Sequence, residues 1–271
     1  MTSTADASGK RLPQRFSQPS ILAFFFYGFA VLVVVWAANG SEWSFGELAA
    51  GIPALGDFLS RAWPPSFERF GSLSLALVET FQMAIIGTLA GAILALPLAI
   101  LGARGLTGWR FLAWPSRTLV ALFRTVPDLV WALIFVIAVG LGPFAGTLAI
   151  AIDTAGFCGR FFAEAMEDTD KGPADALRAQ GVRRLDTVFC ATIPAAIPAF
   201  ITTSLFALEK STRSSVILGL VGAGGIGLEL KVSMDLFDYP RAATIILMIF
   251  VLVIAVEQVG SLVRSRILEG K

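Results

Sequence analysis

Long apolar stretches separated by short polar ones run through this chain, and their lengths set its class. Six of them, near residues 20–38, 73–101, 119–140, 144–163, 192–213 and 241–263, approach the roughly 20 apolar residues that a helix needs to cross a hydrocarbon core. They predict an all-α, polytopic membrane protein with six transmembrane helices. The first apolar core, Ile21 to Ala38, is longer than the roughly 7–15 residues of a signal-peptide core. It reads as a retained helix behind a polar N-terminal segment, 1–19, and the rest, 20–271, as one transmembrane domain.

The patterns between and within the spans add detail. Phe45, Leu48, Ile52, Leu55 and Leu59 recur at helical spacing, flanked by Trp43 and Trp63. This predicts one or two short interfacial helices, broken at Pro53, in an external segment 39–71. Gly87 and Gly91 make a small-xxx-small pair that lets another backbone approach closely. Pro97 should bend the same helix by removing a hydrogen bond. Val126 precedes Pro127 and so avoids the helical region, which places a break or elbow in the third span. Pro194 and Pro198 fall in the first turns of the fifth, where a missing N–H loses little.

Composition and charge sharpen this picture. The chain is 56% hydrophobic with mean hydropathy +0.76, and only 15% of it is charged, against about 25% in soluble domains. A net charge of +1 argues against a nucleic-acid partner. The absence of histidine excludes His-based catalysis and histidine metal sites. Cys158 and Cys190 lie in or beside apolar segments without metal-ligand spacing, and read as packing thiols with no disulfide. Of the 21 lysines and arginines, 14 fall in segments 1–19, 102–118, 160–190 and 264–271, which predicts that these face the cytosol and that both termini are cytoplasmic.

Ionisable residues inside spans are expensive, at about 2.5–3.5 kcal/mol each on insertion scales, and usually face protein or a watery path. Glu209 and Arg213 are spaced to pair at i, i+4, as are Arg124 and Asp128 around Pro127. Asp153 stands near mid-depth of the fourth span, either paired across helices or facing a watery cavity. Counted from Thr192, Glu209 lies about 25 Å along its helix, near the external interface, with Glu79 at a similar level. Glu79, Glu209, Lys210 and Arg213 therefore either line the outer mouth of a pathway, where Lys and Arg favour an anion, or form structural salt bridges.

Two motifs stand outside the spans. Gly222-Ala223-Gly224-Gly225-Ile226-Gly227 formally satisfies G-x-G-x-x-G, but the strand–helix context that binds a dinucleotide is missing. In an external glycine-rich loop, 214–240, Gly222, Gly224, Gly225 and Gly227 suit either a re-entrant or gate-like backbone or a flexible loop. The second is a polar, basic island at 164–190. Thr169 and Asp170 are placed to cap a helix opened by Pro173, and Asp175 complements its dipole. Gly181 permits a sharp turn into a second short helix, Arg183 to Phe189. Ala174, Leu177, Val182 and Leu185 would fill a groove on a partner. No G-x-x-x-x-G-K-[ST] occurs, so the chain has no P-loop for ATP.

The island Asp175-Ala176-Leu177-x3-Gly181-x9-Ala191-x-Ile193-Pro194 resembles the EAA signature, E-A-A-x3-G-x9-I-x-L-P, of bacterial ABC importer permeases. Four positions are substituted and the spacing is kept. Four further blocks resemble the phosphonate-importer permeases: Glu79-Thr-Phe-Gln-Met-Ala-Ile-Ile-Gly-Thr, Arg124-Thr-Val-Pro-Asp-Leu-Val, Val139-Gly-Leu-Gly-Pro-Phe-Ala-Gly and Leu218-Gly-Leu-Val-Gly-Ala-Gly-Gly-Ile-Gly. The resemblance implies a type I ABC importer permease fold in a bacterial inner membrane. It makes Asp175, Ala176, Leu177, Gly181 and Pro194 parts of a coupling helix that docks on a separate ATPase. It also implies a second copy of the chain, two ABC ATPase subunits holding ATP and magnesium, an extracytoplasmic substrate-binding protein and a small phosphorus oxyanion as substrate, with no cofactor on this chain. Two rivals share the polytopic pattern. An ion-gradient-driven transporter or channel would work without an ATPase and usually has repeat symmetry, which is not visible here. An intramembrane enzyme would need a nucleophile–base pair or metal cluster that the sequence does not offer.

Overall fold

The protein's structure, a computed structural model, describes residues 21–41, 44–106, 108 and 110–268. The segment 1–19 with Lys10, Arg11 and Arg15, together with Trp43 and Lys271, lies outside the described residues. All regular structure described is helical: α1 (Ile21–Gly40), α2 (Phe45–Ala62), α3 (Phe70–Gly102), α4 (Arg110–Thr125), α5 (Asp128–Val139), α6 (Pro143–Glu167), α7 (Gly172–Ala179), α8 (Arg184–Thr187), α9 (Ile193–Leu218), α10 (Gly225–Asp235) and α11 (Tyr239–Leu268). π-helical turns cover Val188–Thr192 and Gly219–Ala223.

By length and apolarity four helical runs suit a bilayer crossing, namely α1, α3, the run from α8 through α9, and α11. The expected third span is α4 and α5 together, bent by 93° at Val126 and Pro127, and counting it as one crossing makes five. The expected elbow is therefore a near-right-angle turn. Pro127 caps α5 with extended ψ, which halts α4 and restarts the helix in a new direction. The remaining expected span, α6, has 25 residues but carries Asp153, Arg160, Glu164 and Glu167 among many small residues, so apolarity alone does not single it out.

The chain divides into two compact units, Met1–Asp57 and Phe58–Lys271. In the first, α1 exposes Phe24, Phe25, Phe29, Leu32 and Trp36, as an all-apolar helix in lipid does. The break expected at Pro53 is absent: α2 is one helix of 18 residues that runs through it. An exposed helix loses one internal hydrogen bond at such a proline, and its surroundings can satisfy the freed carbonyl. α3 likewise continues through Pro97.

The second unit is built on α3 against α6. A Cβ on Gly87 would lie 2.6 Å from Ile150, and one on Gly91 would lie 2.5 Å from Thr154 Cβ and 2.6 Å from Ala151 O. These contacts advance together along both helices, so α3 and α6 run parallel, with backbones as close as small residues allow. α9 lies antiparallel on α6, where the Phe162 and Phe200 rings meet at a tilt and Thr154 Oγ1 lies 3.4 Å from Ser211 Oγ. α4 packs antiparallel on the same helix, with Val120 against Gly159 and Phe123 against Gly156. α11 closes the unit through Ile245 and Met248, which share a core with Leu73 and Ile226.

These directions give the unit two functional ends. One gathers Thr80, Pro143 and the 219–227 glycine segment. The other gathers Arg104, Glu167 and α7, joined where Arg104 N–H donates to Glu167 Oε1 at 2.6 Å. From Thr80 to Gly102, the last residue of α3, is about 33 Å along the helix axis, comparable to a bilayer's hydrocarbon core.

Candidate functional site

At the α7 end a short hairpin stands out from the bundle. Asp170 Oδ1 accepts the Gly172 N–H at 3.0 Å and starts the helix. Thr169, expected to share that role, instead donates to Met166 O at the end of α6. Gly181 takes φ +80°, and Val182 N–H returns to Leu177 O at 3.2 Å, closing the turn as a glycine cap does. Asp175 and Ala176 are exposed, and Asp175 meets Arg178 at 3.3 Å. Ala174, expected on the docking face, is buried in the chain's own fold, while Leu177, Val182 and Leu185 are half-buried.

Beyond the turn, the expected second helix, Arg183 to Phe189, is a single α-turn that flows without interruption into α9. Pro194 explains the junction. It has no N–H for Cys190 O, and Ile193 N–H bonds five residues back to Val188 O, so the ladder widens into a π turn rather than breaking. Cys190 is exposed there, unlike the buried Cys158, so only Cys158 is the packing thiol the sequence suggested.

At the opposite end the glycine segment is packed rather than loose. Gly222, Gly224 and Gly225 have φ of +94°, +80° and +69°, conformations that only glycine adopts without strain. Gly142 N–H donates to Gly222 O at 3.0 Å, and Ile226 N–H donates to Thr80 Oγ1 at 2.7 Å. Gly227 is needed for a different reason: its Cα side faces Gly219 and the Val216 carbonyl, leaving no room for a side chain. A Cβ at Gly224 would sit 3.1 Å from Glu79 Oε1, so Glu79 borders this segment. The backbone of this segment is therefore packed and takes positive φ at three glycines.

Between the two ends lie the charges, and most of their expected pairings change. Lys210 Nζ reaches Asp153 Oδ2 at 2.7 Å and Oδ1 at 2.9 Å, linking α9 to α6 and passing over the Phe157 ring. Asp153 thus pairs across helices, about 15 Å from one end of α6 and about 21 Å from the other. Glu209 pairs with Arg264 at 3.0 Å on α11, and that guanidinium also lies 4.1 Å from the Phe206 ring. The expected Glu209–Arg213 pair does not form, since Arg264 occupies the carboxylate and Arg213 is exposed one turn on.

Lys210 consequently sits beside the middle of α6, and Glu79 lies roughly 18 Å away along α3 from the level of Gly91. The single cluster of Glu79, Glu209, Lys210 and Arg213 dissolves into separate features. Among the described residues Arg124 and Asp128 form no ion pair either. The 93° bend takes them off a common helix face, and Asp128 Oδ1 accepts the Leu129 N–H instead. Arg264 and Thr80 are the partners that pattern reasoning missed. An arginine at the rim of the last apolar stretch was the available signal for the first, and the second had none beyond its place beside Glu79.

Residues 95–269 match the family described as the binding-protein-dependent transport system inner membrane component. The chain is 39% identical over 216 residues to a phosphate-import permease protein, PhnE, of Mycolicibacterium smegmatis. That alignment takes in 79% of this chain and 40% of the mycobacterial protein, so the chain spans well under half of that relative's length. It is 37% identical over 248 residues to a putative phosphite transport system permease protein, HtxC, of Stutzerimonas stutzeri, covering 90% of this chain and 88% of the other. It is also 34% identical to the phosphite transport system permease protein PtxC of the same organism, covering 82% and 83%. Among solved structures, an inward-facing MetNI methionine ABC transporter chain superposes with TM-score 0.66 at 20% identity, over 74% of this chain and 99% of that one. At that identity the likeness speaks for the fold, which is that of type I ABC importer permeases.

Proposed function

The chain belongs to the family of binding-protein-dependent transport system inner membrane components, and from that membership we propose that it is the permease subunit of an ATP-driven importer for phosphonate or a related phosphorus oxyanion. The carrying observation is the hairpin at 172–192, which exposes Asp175 and Ala176 at a glycine turn and continues through a π turn into α9. A docking surface fused to a helix that crosses the bundle acts as a lever. Closure of two ATPase subunits, which hold the ATP and magnesium, would push Asp175, Ala176 and Leu177 and be transmitted through Gly181 and Pro194 into α9.

In this mechanism two copies of the chain rock between outward and inward access. Both termini and the 164–190 island face the cytosol in a bacterial inner membrane, and the 39–71 segment lies at the external surface. The 214–240 segment faces outward, where a loaded substrate-binding protein docks. Gly222, Gly224, Gly225 and Gly227 keep its backbone tight against Glu79 and Thr80, so that docking is felt by α3 and α9 together. Lys210 is the cation offered to the passing anion. It is 42% exposed, and its Asp153 partner holds it in place between passages.

The phosphorus substrate rests on the relatives' names, phosphate import in one and phosphite transport in the others. Copurification tests the assembly. A stable complex with an ABC ATPase, and vanadate-sensitive uptake in proteoliposomes once a cognate binding protein is added, are the expected results. Uptake by the lone chain, driven by an ion gradient and indifferent to vanadate, would replace this proposal with a secondary transporter.

A further inference from the structure

A cavity of about 210 Å³ opens at the α7 end of the bundle, between the end of α3, the second half of α4 and the second half of α6. Four arginines line it, Arg104, Arg117, Arg124 and Arg160, against two glutamates, Glu164 and Glu167. Their pairing is uneven. Arg160 and Glu164 bond to each other, and Glu167 Oε1 accepts the Arg104 backbone N–H. Arg117 donates its Nε to Gly102 O at 2.6 Å. Among the described residues no carboxylate pairs with the side chains of Arg104, Arg117 or Arg124. Three of the four arginines thus keep free donors, and four cations against two carboxylates leave the concavity a net positive potential.

The architecture holds them there. Gly156 and Gly159 let α4 approach α6 so closely that the Arg124 stem and Val120 lie against the α6 backbone. Ser116 Oγ donates to Leu98 O at 2.6 Å, and together with the Arg117–Gly102 bond it ties α4 to the end of α3. Guanidinium groups present planar arrays of donors that suit the oxygens of a phosphoryl group, and a cationic concavity with apolar walls focuses their field. The volume is far above the roughly 10–15 Å³ that one water needs, and admits a tetrahedral oxyanion with some of its hydration.

The geometry points to a phosphate-group binding site in this cavity, with Arg104, Arg117 and Arg124 as its donors. It is separate from the Lys210–Asp153 pair and does not depend on which substrate the protein carries. Two sources offer this chemistry: a free phosphorus oxyanion on the cytosolic side, and the headgroup of an anionic lipid.

The full chain in phosphatidylcholine nanodiscs, titrated with radiolabelled inorganic phosphate, tests the first source. Native mass spectrometry from discs containing phosphatidylglycerol tests the second. The variant is Arg104→Gln with Arg124→Gln, since neither side chain carries a hydrogen bond within the described fold; a Lys210→Gln variant marks the mid-depth pair. Phosphate bound by the wild type and weakened at least tenfold in the double variant, with Lys210→Gln unaffected, supports the site with a free anion as its ligand. Retained phosphatidylglycerol that the double variant loses supports it with a lipid headgroup. Absence of both, in protein whose melting temperature matches wild type, overturns the site. So does phosphate binding that disappears in Lys210→Gln and persists in the double variant.

Discussion

Lys210 Nζ and Asp153 Oδ2 meet at 2.7 Å near the middle of the bundle, the Asp153 side chain 14% exposed and the Lys210 side chain 42%. The inequality decides what either substitution does. Lys210→Met leaves a mostly buried carboxylate without its cation and should destabilise the protein by about 2–3 kcal/mol, less than a fully buried pair because Lys210 is partly solvated. Asp153→Asn together with Lys210→Gln removes both charges and should recover most of that loss, measured as melting temperature in detergent. If Lys210 serves the passing anion, this stable double variant imports slowly; normal import would remove Lys210 from the pathway.

The Glu209–Arg264 pair is more enclosed, with both side chains at or below 15% exposure and Phe206 against the guanidinium. Arg264→Ala should lose about 3–5 kcal/mol, because it strands a buried carboxylate and removes a cation–π contact. Pairing that change with Glu209→Gln should restore part of it, which a double-mutant cycle on thermal unfolding measures. Equal losses in the single and paired variants would mean that packing, not charge, holds α9 to α11.

At the α3–α6 contact, Gly91→Ala places a methyl 2.5 Å from Thr154 Cβ and should cost about 1–3 kcal/mol through overpacking. Gly71, at the start of the same helix, has open space around it, so Gly71→Ala should be neutral or stabilising by up to about 1 kcal/mol. Comparing the two melting temperatures separates close packing from helix propensity.

Thr80→Val removes the acceptor of the buried Ile226 N–H while keeping the side chain's shape. An orphaned buried donor costs about 1–3 kcal/mol. Hydrogen exchange at Ile226 should accelerate well before global unfolding, and unchanged protection there would mean that the glycine segment is held by packing alone.

Gly181 has open space but φ +80°, so Gly181→Ala should cost only about 1 kcal/mol of backbone strain. Ala176→Glu, on the exposed face of α7, should leave stability within about 0.5 kcal/mol of wild type. In the reconstituted importer Ala176→Glu should nonetheless separate ATP hydrolysis from uptake. An unchanged ratio of ATP consumed to substrate imported would remove α7 from the coupling path.

Much of this molecule was legible along the chain because its determinants are local. Runs of about 20 apolar residues dictate helices wherever water cannot satisfy the backbone, and α1, α3, α9 and α11 follow. The elbow at Val126 and Pro127, the turn at Gly181 and the positive φ of Gly222, Gly224 and Gly225 follow from the steric limits of single residues. The spacing from Asp175 to Pro194 was sufficient to mark the hairpin.

Side-chain partnership was not local, and there only the tertiary structure decided. Glu209 had Arg213 four residues away, yet pairs with Arg264, which is 55 positions distant, and Asp153 finds Lys210 at 57. Spacing within one helix lists the partners a charge can reach. Which one it takes depends on which neighbouring helix excludes water from it, since the attraction strengthens as the local dielectric falls. The same holds for the arginine cavity. Its residues lie on α3, α4, α6 and the turn after α3, and the glycines that draw α4 onto α6 bring the charges of those two helices to one place.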